Sequence, residues 1–281
     1  MAPPSFNDLD KSCRDLFNRD IVNFGFLKID SSAKSGRNGE LEFKSAASHN
    51  LKSQATTGSV DIKYKIPAYG IVITESWKTN NTLGTTVDIK DQFLRGSKLT
   101  FDTTYSPNFG RRDMKLKADW ANPIFNISAD VSFNGDPDAT LAVVMTQGQW
   151  LLGVKGGFTL GAQRKSGSVT LGHAGADYII TTHFTSDNKV GCKIFHRAVK
   201  NVDLGYQLGW AVGTDSTDFG VAAKYVTPSN LVFRAKLDNK SNIGVSACQA
   251  LSKDLKVTAS TQFTFASEEA PKFGIGFEYS P

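Results

Sequence analysis

From about residue 24 to the C-terminus, nearly every readable segment alternates apolar and polar residues with period two. Side chains two apart on an extended chain share a face, so this pattern commits the chain to half-apolar strands. In Ser59–Pro67, Val60, Ile62, Tyr64 and Ile66 oppose Asp61, Lys63 and Lys65. In Lys98–Ser106, Leu99, Phe101, Thr103 and Tyr105 oppose Lys98, Thr100 and Asp102. Met114, Leu116, Ala118 and Trp120 oppose Lys115, Lys117 and Asp119, and Phe125, Ile127, Ala129, Val131 and Phe133 oppose Asn126, Ser128 and Asp130. Turn chemistry punctuates the pattern at Gly36–Gly39, Asn80–Asn81, Ser106–Gly110, Asn134–Asp138, Thr227–Asn230 and Asp238–Ser241. The pacing gives about nineteen strands of roughly ten residues, the length that crosses a bilayer when tilted. No internal sequence repeat accompanies it.

Two architectures suit such a run of hairpins. In a soluble sandwich the apolar faces meet each other; in a membrane barrel they meet lipid, and the polar faces line a lumen. Long, even strands favour the barrel, as do charges on the polar face in mid-strand. Trp77, Tyr105, Trp120, Trp210, Tyr225 and Tyr279 near strand ends on the apolar face would serve as an aromatic girdle.

Composition is compatible with that expectation and excludes several others. Hydrophobic residues are 40% of the 281 and charged residues 21%, so the chain is no disordered polymer. The net charge of +5 is scattered, with no basic run of the kind that marks a nucleic-acid arm. Cys13, Cys192 and Cys248 lie far apart, as do His49, His173, His183 and His196, and neither set has metal-ligand or disulfide spacing. No apolar run is long enough for a transmembrane helix, and the N-terminus lacks a signal core. By the helix rules the chain would be soluble and cytosolic, but those rules do not see β-barrels. No nucleophile elbow, phosphate-binding loop or HExxH pattern is present, so no enzyme is expected.

One segment departs from period two. Phe6, Leu9, Leu16 and Phe17 recur at helical spacing among Asp8, Lys11, Arg14, Asp15 and Arg19, which predicts a short amphipathic helix before the first strand. The expected division is therefore helix and linker over 1–23 and barrel over 24–281. A second anomaly is Glu75, which shares a face with Ile71, Ile73 and Trp77. If that face meets lipid, the carboxylate must be neutralised, reach headgroups, or recruit a cation or partner; a local bulge could instead turn it inward.

The blocks Pro3–Phe17, Thr74–Thr85, Asp91–Arg112 and Phe219–Tyr225, with the closing Lys272–Ser280, resemble the mitochondrial voltage-dependent anion channels, the eukaryotic porins, from end to end. Nineteen is also that family's strand number, so the segment count is not an independent measure. The resemblance implies an outer-membrane barrel with the helix inside its pore and passage of ATP, ADP and other small ions, with no resident cofactor. It implies nucleotide contacts, ATP- or NAD-like, at Lys11, Arg19, Ser241, Asn242, Ile243, Gly244, Ser260, Thr261, Gln262, Phe263 and Thr264. It also implies a lipid bilayer as partner, hexokinase and apoptosis regulators as docking proteins, and self-association. Within it, Glu75 corresponds to a membrane-facing glutamate tied to channel dynamics, oligomer contacts and kinase docking. Lys272-x-Gly274-x-x-Phe277-x-Tyr279 looks like the signal read by the outer-membrane assembly machinery.

Basic residues expected to line the pore are Lys63, Lys65, Lys98, Lys115, Lys117, Arg234, Lys236 and Lys256. They would enrich phosphate-bearing solutes, weakly and in a salt-dependent way, because a wide pore screens its walls. Departures from the family are expected to matter. The glycine-rich hinge is replaced by Asp20–Gly25 with a single glycine, and β-branched Ile21 and Val22 would stiffen it and make voltage closure shallow. Asp10 and Asp20 replace uncharged residues, which predicts weakened anion preference. The family's Gly-Leu-Lys triplet appears as Gly96-Ser97-Lys98, and Pro228 stands where the family often has Asp. The alternatives are a preprotein-translocation pore of the same superfamily and a soluble barrel that carries lipid.

Overall fold

A computed structural model describes residues 2–19, 24–36, 39–161, 164–214, 216–265 and 270–281. The linker expectation, which turns on Asp20, Ile21 and Val22, falls on residues outside the described ones. A 3-10 turn (Phe6–Asp8) and one helix, α1 (Lys11–Asn18), precede the strands. The strands in chain order are β1 (Phe26–Ser35), β2 (Leu41–Asn50), β3 (Thr56–Ile66), β4 (Ile71–Lys78), β5 (Thr82–Lys90), β6 (Ser97–Ser106), β7 (Arg111–Ala121), β8 (Phe125–Asn134), β9 (Asp136–Gln147) and β10 (Trp150–Thr159). They continue as β11 (Arg164–Ala174), β12 (Tyr178–Thr185), β13 (Lys189–Val199), β14 (Val202–Ala211), β15 (Thr217–Val226), β16 (Val232–Asp238), β17 (Asn242–Ala250), β18 (Leu255–Thr264) and β19 (Lys272–Tyr279).

Among the described residues all nineteen strands belong to one sheet in which chain neighbours pair, and β1 also pairs with β19. The sheet is therefore a closed barrel with no free edge, the one arrangement of strands that satisfies every backbone group in lipid. Pairs such as β3–β4 and β8–β9 are antiparallel and regular in register, while β13 shifts by one residue against β14 between Arg197 and Val199. Where register is unbroken, period two holds along the strand and sorts its side chains to two faces.

By Cα proximity the chain divides into two compact units. One comprises Met1–Phe6, Ser31–Ala46 and Thr57–Val169. On one face of its sheet, Val60, Ile62 and Tyr64 of β3, Leu116 of β7, Phe133 of β8 and Leu141 of β9 are exposed. The other face carries ion pairs. Glu42 meets Lys44 at 3.2 Å and Lys65 at 3.5 Å, and Asp88 meets Lys98 at 3.0 Å. Asp130 meets Lys115 at 3.1 Å, and Asp119 meets Lys117 at 3.2 Å. The second unit comprises Asn7–Asp30, Ala47–Thr56 and Thr170–Pro281. There too Trp210, Phe219, Tyr225, Ile275 and Phe277 are exposed on one face, while α1 lies on the other.

The exposure decides between sandwich and membrane barrel. The accessible surface is 17520 Å², whereas a compact soluble protein of this mass has about 12,000 Å². The fully buried apolar set is correspondingly small: Leu9, Cys13, Leu16 and Phe17 around the helix, with Ala142, Val144, Leu151, Ala222 and Cys248 on strands. A soluble sandwich would bury its apolar faces against each other. Here they stay open, as lipid requires. The girdle aromatics follow suit: Trp77, Tyr105, Trp120, Trp210, Tyr225 and Tyr279 are all exposed.

Candidate functional site

The helix is where polar-face chemistry concentrates. Its apolar residues Leu16 and Phe17 are buried, with Cys13, against Ala222 and Phe195. The seat is made by two glycines. A Cβ at Gly205 of β14 would stand 2.9 Å from Leu16 Cδ1, and one at Gly220 of β15 would stand 3.1 Å from Phe17 Cε1. Only a residue without a side chain lets the helix approach so closely. The Cys13 thiol donates to the Tyr206 carbonyl at 3.5 Å, and burial pushes it up to about 11.

Both ends of α1 are held by charge. Asp10 occupies the N-cap position, yet its side chain makes no capping hydrogen bond to the helix. Its Oδ1 instead accepts from Arg14 Nη1 at 3.1 Å, and its Oδ2 from the Lys193 ammonium of β13. At the other end two β16 cations meet carbonyls of the last turn. Arg234 Nη1 donates to the Asp15 carbonyl at 3.3 Å, and Lys236 Nζ to the Phe17 carbonyl at 3.1 Å. The Asp15 carbonyl also accepts from the Arg19 N–H at 2.9 Å, and both carbonyls lie at the negative end of the helix dipole, so strand cations are well placed there.

Beside this contact lies a recess of about 320 Å³, lined by Arg14, Phe17, Asn18, Lys193, Gln207, Lys236, Leu237, Asp238, Asn242, Gly244 and Gln262. It gathers three cations and four amides around one carboxylate. That carboxylate, Asp238, is already engaged. Its Oδ1 accepts from the backbone N–H groups of Lys240 at 2.9 Å and Asn242 at 3.0 Å, and its Oδ2 from Asn242 Nδ2 at 2.9 Å. Thr264 Oγ1 donates in turn to Asn242 Oδ1 at 2.7 Å. The arrangement can attract a phosphate-bearing anion.

The nucleotide-contact residues implied by resemblance divide. Asn242, Gly244 and Gln262 line the recess, while Thr264 supports it through Asn242. Ile243, Thr261 and Phe263 lie at odd registers of β17 and β18, on the opposite face, so they cannot join it. Ser260 shares the polar face but donates to Gly274 O at 3.4 Å. Ser241 sits in the turn before β17, its N–H donating to Asp238 O at 3.2 Å. Lys11 pairs with Asp8 at 3.7 Å and Arg19 is exposed; neither lines the recess. A block of consecutive strand residues cannot serve one site, since every second side chain points away.

The basic residues expected in the pore do share polar faces. Lys65, Lys98, Lys115 and Lys117 are ion-paired as above, and Lys256 meets Glu278 at 3.2 Å. Lys63 lies between Lys65 and Asp61 on the same face. In Gly96-Ser97-Lys98 the glycine ends the turn and the other two residues begin β6. Gly96 has φ +84 and donates to Asp91 Oδ1 at 2.7 Å, and a Cβ there would collide with the Ala121 carbonyl. Glu75 is exposed on the apolar face, opposite Ile62 of β3 and Thr85 of β5, in unbroken register. The bulge that could have turned it inward is absent.

Sequence reasoning did not single out Lys193, Gln207 or Asp238. Alternation would have put Lys193 on the polar face, opposite Val190, Cys192 and Ile194, but nothing local points it at Asp10.

The eukaryotic porin family model matches residues 2–274. A probable voltage-dependent anion-selective channel of Caenorhabditis elegans is 44% identical over 100% of this chain and 99% of its own. The non-selective voltage-gated ion channel VDAC1 of Homo sapiens is 35% identical over 99% of both chains. Among solved structures, a mutant Rh. blastica porin aligns with TM-score 0.49 and 10% identity over 78% of this chain and 88% of that one. A closed sheet with an apolar outer surface, ion-paired polar faces and a match from end to end have one common reading: this chain belongs to the eukaryotic porin family.

Proposed function

We propose that this chain is a voltage-dependent, anion-preferring channel of the mitochondrial outer membrane that passes small hydrophilic metabolites, ATP and ADP among them. The observation that carries the reading is the division of each strand into an open apolar face and a charged one, in a sheet without edges. The apolar face suits lipid and the charged face suits water, so the sheet separates a bilayer from an aqueous lumen. Both relatives' names support the voltage dependence, and that of the Caenorhabditis elegans relative supports the anion preference, whereas the human relative is named non-selective. Chemistry in such a lumen is electrostatic: cations raise the local concentration of anionic solutes over about a Debye length and release them again. Nucleotides are permeants or weak ligands of the recess, and no resident cofactor is required.

Two measurements test this. Alkaline carbonate extraction should leave the protein in the membrane pellet; recovery in the supernatant would instead favour a soluble lipid carrier. Refolded protein in a planar bilayer under a salt gradient should give large, voltage-dependent conductance steps with a reversal potential on the anion side. A pore that admits extended peptides but shows no ion preference would favour the translocation alternative.

A further inference from the structure

Three cations line the recess: Arg14 belongs to the helix, while Lys193 and Lys236 bond to Asp10 and Phe17 at its two ends. Lys236 donates to a neutral carbonyl, that of Phe17. Arg14 and Lys193 are different, because both are held by the carboxylate of Asp10, one oxygen to each. Asp10 stands at the helix N-cap, where an aspartate ordinarily accepts from the first-turn N–H groups and stabilises the helix. Its side chain makes no such bond. The carboxylate is committed to the two recess cations instead, and with about a fifth of its side chain exposed it remains in reach of water.

A phosphate group entering the recess needs the same donors. A guanidinium offers paired N–H groups to phosphate, and an ammonium offers a compact charge. In the present arrangement both meet a carboxylate first. We propose that Asp10 is a tethered competitor of anionic solutes: by occupying Arg14 and Lys193 it sets how strongly the recess attracts phosphate-bearing permeants, and it is a specificity-determining residue of the pore. This rests on the anion-passing reading above. An anion that displaces Asp10 takes over two cations, and the freed carboxylate can turn to the helix N–H groups it now leaves unserved. The helix keeps its seat on Gly205, Gly220 and Ala222 and its Arg234 and Lys236 contacts throughout.

The test uses the full-length refolded channel with Cys192→Ser and Cys248→Ala, so that alkylation of Cys13 reports whether the helix is docked. Asp10→Asn removes the carboxylate charge; Asp10→Ser removes it while keeping a good N-cap residue, and covers the case in which the first variant does not refold. The reversal potential in a KCl gradient should move toward anions in both. ATP, as probe, should reduce KCl conductance at roughly three- to tenfold lower concentration, the effect of one water-screened unit charge. Cys13 should stay protected, and the same substitutions in an Arg14→Gln, Lys193→Gln channel should change neither quantity. Unchanged reversal potential and ATP dependence would overturn the proposal. So would a change that comes only with free alkylation of Cys13, since Asp10 would then be a latch and not a competitor. If the unsubstituted protein forms no ion-conducting pore, it is the channel reading that fails, before Asp10 is tested.

Discussion

The Lys236 ammonium donates to the Phe17 backbone carbonyl at 3.1 Å, joining the polar face of β16 to the last turn of α1. The same ammonium stands 5.6 Å from the Phe24 ring centroid, at the start of the barrel-proximal chain. One side chain thus fastens the helix end and the segment that follows it. Lys236→Met should weaken docking by about 1–2 kcal/mol, the worth of a charge at a helix C-terminus. Alkylation of Cys13 would then speed up by roughly five- to thirtyfold; an unchanged rate would show that the contact contributes nothing.

Gly205 and Gly220 are expected to be intolerant of side chains. Gly205→Val places a branched group against Leu16 and should cost docking about 1–3 kcal/mol, as overpacking generally does. The readout is again Cys13 reactivity, together with open-channel noise in a bilayer. The barrel itself should still form, because Gly205 faces the helix and not the hydrogen-bond ladder.

Cys13 supplies a pH dependence with a definite sign. Its folded pKa of about 11 lies above that of a free thiol. Docking therefore gains its full thiol contribution below about pH 8.5–9 and loses it as pH rises toward 11. The alkylation rate of Cys13 should climb through that window, whereas an exposed thiol would level off near pH 9. Levelling at the lower pH would show that the thiol is not buried.

The ion pairs on the polar faces predict compensating selectivity changes. Asp88 and Lys98 are 3.0 Å apart. Lys98→Gln should move the reversal potential toward cations and Asp88→Asn toward anions, and the double variant should return it near the starting value. Shifts that fail to cancel would mean that the two positions weigh unequally on the permeating ions.

Glu75 stands among Ile62, Ile73 and Trp77 on the apolar face. A lipid-soluble carbodiimide should modify it faster than a water-soluble one. Glu75→Gln should leave conductance unchanged, since the side chain lies on the apolar face and not on the charged one. Preferential modification by the water-soluble reagent would place the side chain in water.

Alternation alone located strands such as β6, β7 and β8 and the face each side chain takes, because period two is a local property. The helix was less legible. Phe6, Leu9, Leu16 and Phe17 suggested one helix, yet the chain forms a 3-10 turn and then α1, since Asp10 adopts φ −104 and ψ 10 between them. Cys13, dismissed with the other cysteines, completes the buried stripe. The site itself was mostly illegible. Asp10 meets Lys193 across 183 residues of sequence, and which strand faces the helix depends on closure of the whole sheet. Blocks carried over by resemblance, such as Ser260–Thr264, did not respect alternation, so only part of them reaches the recess.

The pairing of β1 with β19 has a consequence for how the chain is made. Short connections between chain neighbours permit only antiparallel pairs, so successive strands reverse direction and β1 and β19, both odd in the order, run the same way. The closing seam is parallel, with slanted hydrogen bonds and somewhat less stability per residue. It also joins the most distant parts of the chain, and Gly25 N–H reaches Phe273 O at 2.8 Å beside it. Such a contact forms late, because the loop it closes is the largest available. Until Lys272–Tyr279 has been synthesised, β1 waits as an unpaired edge, open to pairing with any passing strand. Biogenesis therefore needs a holder for the nascent edges, and a chain truncated before residue 272 should remain bound to that holder or aggregate.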